Sequence, residues 1–154
     1  MKNNFSTSVI RVVTLCVIIT AVSIFFIYDA KIISWVVLAL GLFCILALKF
    51  YGVSIKKVYP DIVFGLIDNG ILAIFTVIGG EIAGIGGAII GGTVGNAITD
   101  GIAGIFEGHI AERLRKQNIS EKRTILGSSV GKMAGCLLGA GLVLVIASFI
   151  NLRL

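Results

Sequence analysis

The stretch DIVFGLIDNGILAIFTVIGG (residues 61–80), followed directly by EIAGIGGAIIGGTVGNAITDGIAGIFEG (81–108), decides the fold. A membrane-crossing helix takes about 20 mostly apolar residues, and these runs supply one crossing each, over 62–80 and 82–110. Upstream, 9–28 and 32–51 form a hairpin around the turn at Asp29, Ala30 and Lys31. A polar connection over 52–61, containing Lys56, Lys57 and Pro60, leads from that hairpin into the central pair. Downstream, the basic stretch 112–123 separates the pair from a last span over 124–150. The expectation is an all-α, multispan integral membrane protein with about five transmembrane helices. It divides into an N-terminal transmembrane hairpin, 1–57, and a three-helix transporter-like core, 58–154.

Composition points the same way. Of the 154 residues, 57% are hydrophobic and 14% charged, and the mean hydropathy is +1.07. A soluble domain is about 45–50% apolar and about 25% charged, so this chain has too little charge to cover a soluble surface. The net charge of +5 is not a nucleic-acid footprint, because the Lys and Arg residues lie between apolar runs with no basic helix face. They set topology instead. Lys31 and Arg153 fall on one side of the membrane and Lys132 inside the last span, while the remaining cations, from Lys2 to Arg123, fall on the other side. The positive-inside rule then puts the N-terminus in the cytoplasm and the C-terminus outside, in the cell membrane. Lys2 and Arg11 ahead of an apolar run also resemble a signal peptide, but no small-x-small cleavage site follows, so the segment reads as a retained span.

Twenty glycines stand against one proline. Small residues let helix backbones approach closely in lipid. The last span carries Gly127, Gly131, Gly135 and Gly139 at four-residue intervals, and the fourth carries Gly87, Gly91 and Gly95. Glycine-rich close helix packing is expected, within the chain or in a homodimer or higher oligomer. Cys16, Cys44 and Cys136 lie in apolar stretches without zinc-site spacing and read as small buried hydrophobes.

A carboxylate at bilayer depth costs at least about 2.5 kcal/mol and marks a functional site by default. Asp61 sits at the mouth of the third span, with Asp68 seven residues further in and on the same face. In the fourth span Asn96, Asp100 and Glu107 also share a face. In an antiparallel pair Asp61 falls level with Glu107 and Asp68 with Asp100, in two tiers about 10 Å apart. Oxygen ligands at this density suit a divalent metal cation, and Asn69, Asn96, Thr93 and Thr99 are available to complete a shell. Lys132, about eight residues into the last span, is placed to compensate Asp68 or Asp100, or to couple to them. His109 points away from this face and reads as interfacial.

Asp61, Gly65, Asp68 and Gly70, followed by apolar residues, resemble the first helix of the vacuolar iron transporter family. Gly104, Glu107, Gly108, Ala111 and Arg113 resemble its second, so that the likeness covers 61–116. The resemblance implies export of ferrous iron or manganese-like ions from the cytosol in exchange for protons, through a homodimer whose carboxylates line the path. Asp68 matches the family's pore aspartate, with Asn69 inserted before Gly70. Asn96 stands where the family has glutamate, Asp100 where it has methionine, and Gly104 where it has a second methionine. The family's Glu-rich cytosolic segment is replaced by the short basic stretch 113–123.

Two functions follow from these readings. One is a divalent metal cation transporter using Asp61, Asp68, Asn96, Asp100 and Glu107, with the metal as substrate and no tightly bound cofactor. The other is a non-transporting structural or assembly protein whose glycine stripes drive oligomerisation. Its partners are the lipid bilayer and other copies of itself, with no nucleic acid. An enzyme is not expected, because no Ser/His or Cys/His pair and no His-Glu-x-x-His motif is present.

Overall fold

The computed structural model describes residues 5–116 and 124–150, without the side chains of 30, 106–111 and 113–116. All the regular structure among them is α-helical: α1 Phe5–Phe26, α2 Ala30–Phe50, α3 Ile55–Lys116 and α4 Ile125–Phe149. The short connections are built by local chemistry. Asp29 caps α2, its carboxylate accepting the N–H groups of Lys31 at 3.1 Å and Ile32 at 3.0 Å, which satisfies two donors that the first helical turn leaves unpaired. At the other end of α2, Gly52 takes φ +71°. The Val53 N–H bonds the Leu48 carbonyl at 2.9 Å and the Gly52 N–H that of Lys49 at 3.0 Å, the paired closure of a Schellman motif. Thr124 caps α4 by accepting the Gly127 N–H at 3.1 Å.

Helix α3 starts at Ile55, so Pro60 lies in its second turn and not in the expected polar connection. Four helices are long and apolar enough to cross a membrane, against five expected spans, because the third and fourth run together in α3. That helix is interrupted at Ala83 (φ −138°, ψ 24°) and Gly84 (φ 59°, ψ −143°). The second of these conformations is open mainly to glycine. The chain reverses there, and the limb 85–116 returns along the limb 55–82. Gly87 meets the Gly79 carbonyl, Gly91 meets that of Phe75, and a Cβ on Gly95 would lie 3.0 Å from Leu72 Cα.

Helix α4 touches each of the other three helices. It runs parallel to the first limb of α3, with Gly131 against Val58 and Asp61, Gly135 against the Ile62 carbonyl and Gly139 against that of Leu66. Against α2 it is antiparallel, with Gly41 facing Leu138 and Gly141 facing Leu38. Leu15, Cys44, Leu48, Val58, Leu126 and Val130 form the buried apolar cluster. Outside it, large apolar side chains face outwards, including Ile85 at 84% and Ile105 at 74% exposed. Water would penalise such a surface, whereas hydrocarbon solvates it. Aromatic residues gather at both ends, as at a membrane interface. Trp35 packs edge-on against Phe149 at 6.5 Å at one end, and the Arg11 guanidinium lies 4.7 Å over the Tyr51 ring at the other.

Candidate functional site

Asp61 is only 2% exposed. Its position in the second turn of α3 sets it beside the first turns of α4, where the Ser128 hydroxyl donates to its Oδ1 at 2.9 Å. The N-terminal end of a helix carries partial positive charge, so this carboxylate is buried where hydrogen bonding and helix polarity favour it. Seven residues on, the surroundings of Asp68 differ. Its Oδ1 is buried and has no hydrogen-bond partner, an arrangement that costs free energy.

Helix α4 packs closely against this part of α3. Gly65, one turn before Asp68, receives the backbone of α4: a Cβ there would lie 2.5 Å from the Lys132 carbonyl and 3.2 Å from Cys136 Sγ. The Lys132 ammonium lies 4.8 Å from the centre of the Phe64 ring, a cation–π distance. Phe64 falls between Asp61 and Asp68, so Lys132 reaches a level closer to the α3 start than the expected Asp68/Asp100 tier.

The second limb presents a different face. Gly87, Gly95, Thr99 and Ala103 are buried along the inter-limb line, and the Thr99 hydroxyl donates to the Asn96 carbonyl at 3.0 Å and, at 3.2 Å, to that of Gly95. The register that pairs Leu72 with Gly95 brings Asp68 level with Thr99, within one residue of the expected tier. Asp100 stands one position off that line and is exposed, bonded to its own helix neighbour: Asn96 Nδ2 donates to Asp100 Oδ2 at 2.9 Å. Depth therefore follows the expected spacing, while rotation separates Asp68 from Asp100. Among the described residues, no three His, Cys, Asp or Glu side chains lie together. The side chains of Glu107 and His109 lie outside the described residues, and the Asp61/Glu107 tier with them.

Ser128 and Cys136 were not among the expected site residues. Both lie on the strip of α4 that faces α3, at offsets of four from Thr124 and Lys132; their signal was that shared strip. Of the cysteines expected to be buried, Cys44 is buried and Cys16 exposed.

Opposite the Asp61 end, a cavity of about 620 Å³ opens between the start of α2, the α3 reversal and Leu144 of α4, with Ser34, Thr76 and Glu81 among its lining. Ser34 is fully buried and Glu81 is exposed. No protein-family model, curated protein or solved structure matches the chain.

Proposed function

We propose that this is a five-crossing membrane protein, with α3 folded into two crossings, that carries a divalent metal cation of the iron or manganese type out of the cytosol. The observation that carries the reading is the buried, partnerless Oδ1 of Asp68 inside a helix apolar enough to span the bilayer. A carboxylate oxygen kept there without a donor is disfavoured unless it is used. The limb 55–82 is about 42 Å long at 1.5 Å per residue, enough to cross the hydrocarbon core alone. The likeness of 61–116 to the vacuolar iron transporter family supports the same class and orientation, with the N-terminus cytoplasmic.

In this scheme Asp61 and Glu107 attract the hydrated ion at the cytosolic mouth, and Asp68 takes it at mid-depth. The cavity beside Glu81 is the outward vestibule. Protons replace the ion on the carboxylates during return. Asn96 and Asp100 lie on an outward face with Gly101 and Gly104, around which there is open space, so a second copy brings their oxygens to the path. Proteoliposome uptake of Fe²⁺, Mn²⁺ and Co²⁺ tests this. Wild type carries them and Asp68→Asn does not; equal rates in the two would end the proposal.

That open face also favours the second reading, an assembly protein in which Asn96, Asp100, Gly101 and Gly104 form a helix–helix contact between copies. It requires an oligomer whose thermal stability is unchanged by metal and which Lys132→Met disrupts. The transporter instead requires stabilisation by metal, lost in Asp68→Asn.

A further inference from the structure

We propose that the cavity at the α3 reversal binds an amphipathic organic cation, an ammonium group on an apolar body, with the Glu81 carboxylate taking the charge. The site is separate from the Asp68 level. Glu81 follows Asp68 by thirteen residues of helix, about 20 Å at 1.5 Å per residue. The inference rests on the shape and lining of the cavity and does not require ion transport.

The cavity measures about 620 Å³, inside the range of about 300–1,000 Å³ typical of small-molecule sites. Its walls come from three helices. Ile33 stands at the start of α2, Val77 and Ile85 on the two limbs of α3, and Leu144 on α4, so an apolar body entering there is contacted from several sides. At the reversal Gly84, also in the lining, leaves the mouth open, since nothing lies within 4 Å of where its Cβ would be. One turn in from Gly84 the limbs close on each other, a Cβ on Gly80 falling 3.5 Å from Ala88 Cβ.

The polar part of the lining selects the charge. Glu81, near the end of the first limb, is the charged residue among the described lining residues; Lys31, at the start of α2, is exposed and outside that lining. Thr76 lies five residues before Glu81, about 7.5 Å along the helix, and donates its hydroxyl proton to the Leu72 carbonyl at 2.8 Å. That leaves the Thr76 oxygen to accept. A carboxylate and a committed hydroxyl both accept hydrogen bonds, so the complementary ligand donates them and carries positive charge. An ammonium does both. A carboxylate or a phospholipid phosphate would meet Glu81 with like charge, and a bare divalent ion would leave the apolar walls unused.

The test uses the full chain in detergent, without metal, and reads the emission of Trp35, the single tryptophan, which follows Ser34 of the lining. Three water-soluble probes share one apolar body: phenylbutylammonium, phenylbutanol and phenylbutyrate. Wild type binds the ammonium saturably and about fivefold more tightly than phenylbutyrate. Glu81→Gln, a near-isosteric change at an exposed position, removes that preference and leaves the affinity for phenylbutanol unchanged. Ala88→Leu, which fills the cavity, weakens all three, with wild-type elution and helical circular dichroism as the fold control. Leu144→Phe serves as the second filling variant if leucine at 88 disturbs folding. No saturable response in wild type, equal affinity for ammonium and carboxylate, or a preference that survives Glu81→Gln overturns the inference. A response unchanged in both filling variants places the probes in the micelle and overturns it as well. None of these outcomes bears on ion flux, and equal flux in wild type and Asp68→Asn would end the transport reading while leaving the cavity's ligand standing.

Discussion

The Ser128 hydroxyl donates to Asp61 Oδ1 at 2.9 Å, tying the start of α4 to the second turn of α3 across sixty-seven residues of chain. Asp61 is buried there at 2% exposure, so its hydrogen bonds stand in for water. A hydrogen bond to a charged group contributes about 1.5–3 kcal/mol. Ser128→Ala should lower the stability of the detergent-solubilised protein by about that amount. Thermal unfolding followed by circular dichroism checks it, and a melting temperature equal to wild type would show that the bond contributes nothing.

Asp68 should behave in the opposite way. Its buried oxygen has no partner, and an unsatisfied buried polar group costs about 1–3 kcal/mol. Asp68→Leu, which removes the charge and fills similar space, should raise the melting temperature in metal-free buffer while abolishing ion flux. A melting temperature below wild type would mean that Asp68 stabilises the resting fold.

The reversal within α3 depends on Gly84, whose φ of +59° a residue with a Cβ rarely adopts. Gly84→Ala should cost about 1–3 kcal/mol through backbone strain alone, since nothing lies near the added Cβ. Gly86→Ala, two residues on, also meets open space and has helical geometry there, so it should be neutral or slightly stabilising. Comparing the two melting temperatures separates conformational strain from crowding.

Crowding governs Gly135 and Gly139. A Cβ at either would run into a carbonyl of α3, that of Ile62 or Leu66. Overpacking of this kind typically costs about 1–3 kcal/mol, and Gly135→Val should reach or exceed that range because backbone must move. Gly104→Ala has open space and serves as the control: as a monomer it melts like wild type, and a shift confined to high protein concentration would place Gly104 between copies.

The five crossings proposed for the chain also make a topological prediction. Cysteines placed at Lys57 and Gly86 in a background lacking the native ones should react with a membrane-impermeant maleimide from opposite sides. Reaction of both from one side would mean that α3 does not cross twice.

Much of the architecture was legible before any fold was known. Helices long and apolar enough to cross a membrane, and their approximate ends, follow from runs of about 20 apolar residues, because in lipid each backbone polar group must be satisfied within its own helix. The Asp29 turn was readable for a similarly local reason, as a capping side chain acts within three residues. Depth was readable too, since seven residues advance a helix by about 10 Å whatever its neighbours. The start of α3 was not, because Pro60 in a polar stretch signals a connection yet is tolerated in the early turns of a helix.

Rotation about the helix axes was decided only by tertiary structure. Which neighbour a face meets depends on where backbones approach, and the contacts of Gly65, Gly135 and Gly139 set one face of α3 against α4, while Asp100 stays on the exposed side with Asn96. The sequence by itself therefore determined that acidic residues sit in helices long and apolar enough to cross a membrane and how far apart they lie along them, because both are properties of one helix. Which of them is hydrogen-bonded across the helices and which is left with a bare oxygen are properties of helix pairs, and those the packing of α4 against α3 decided.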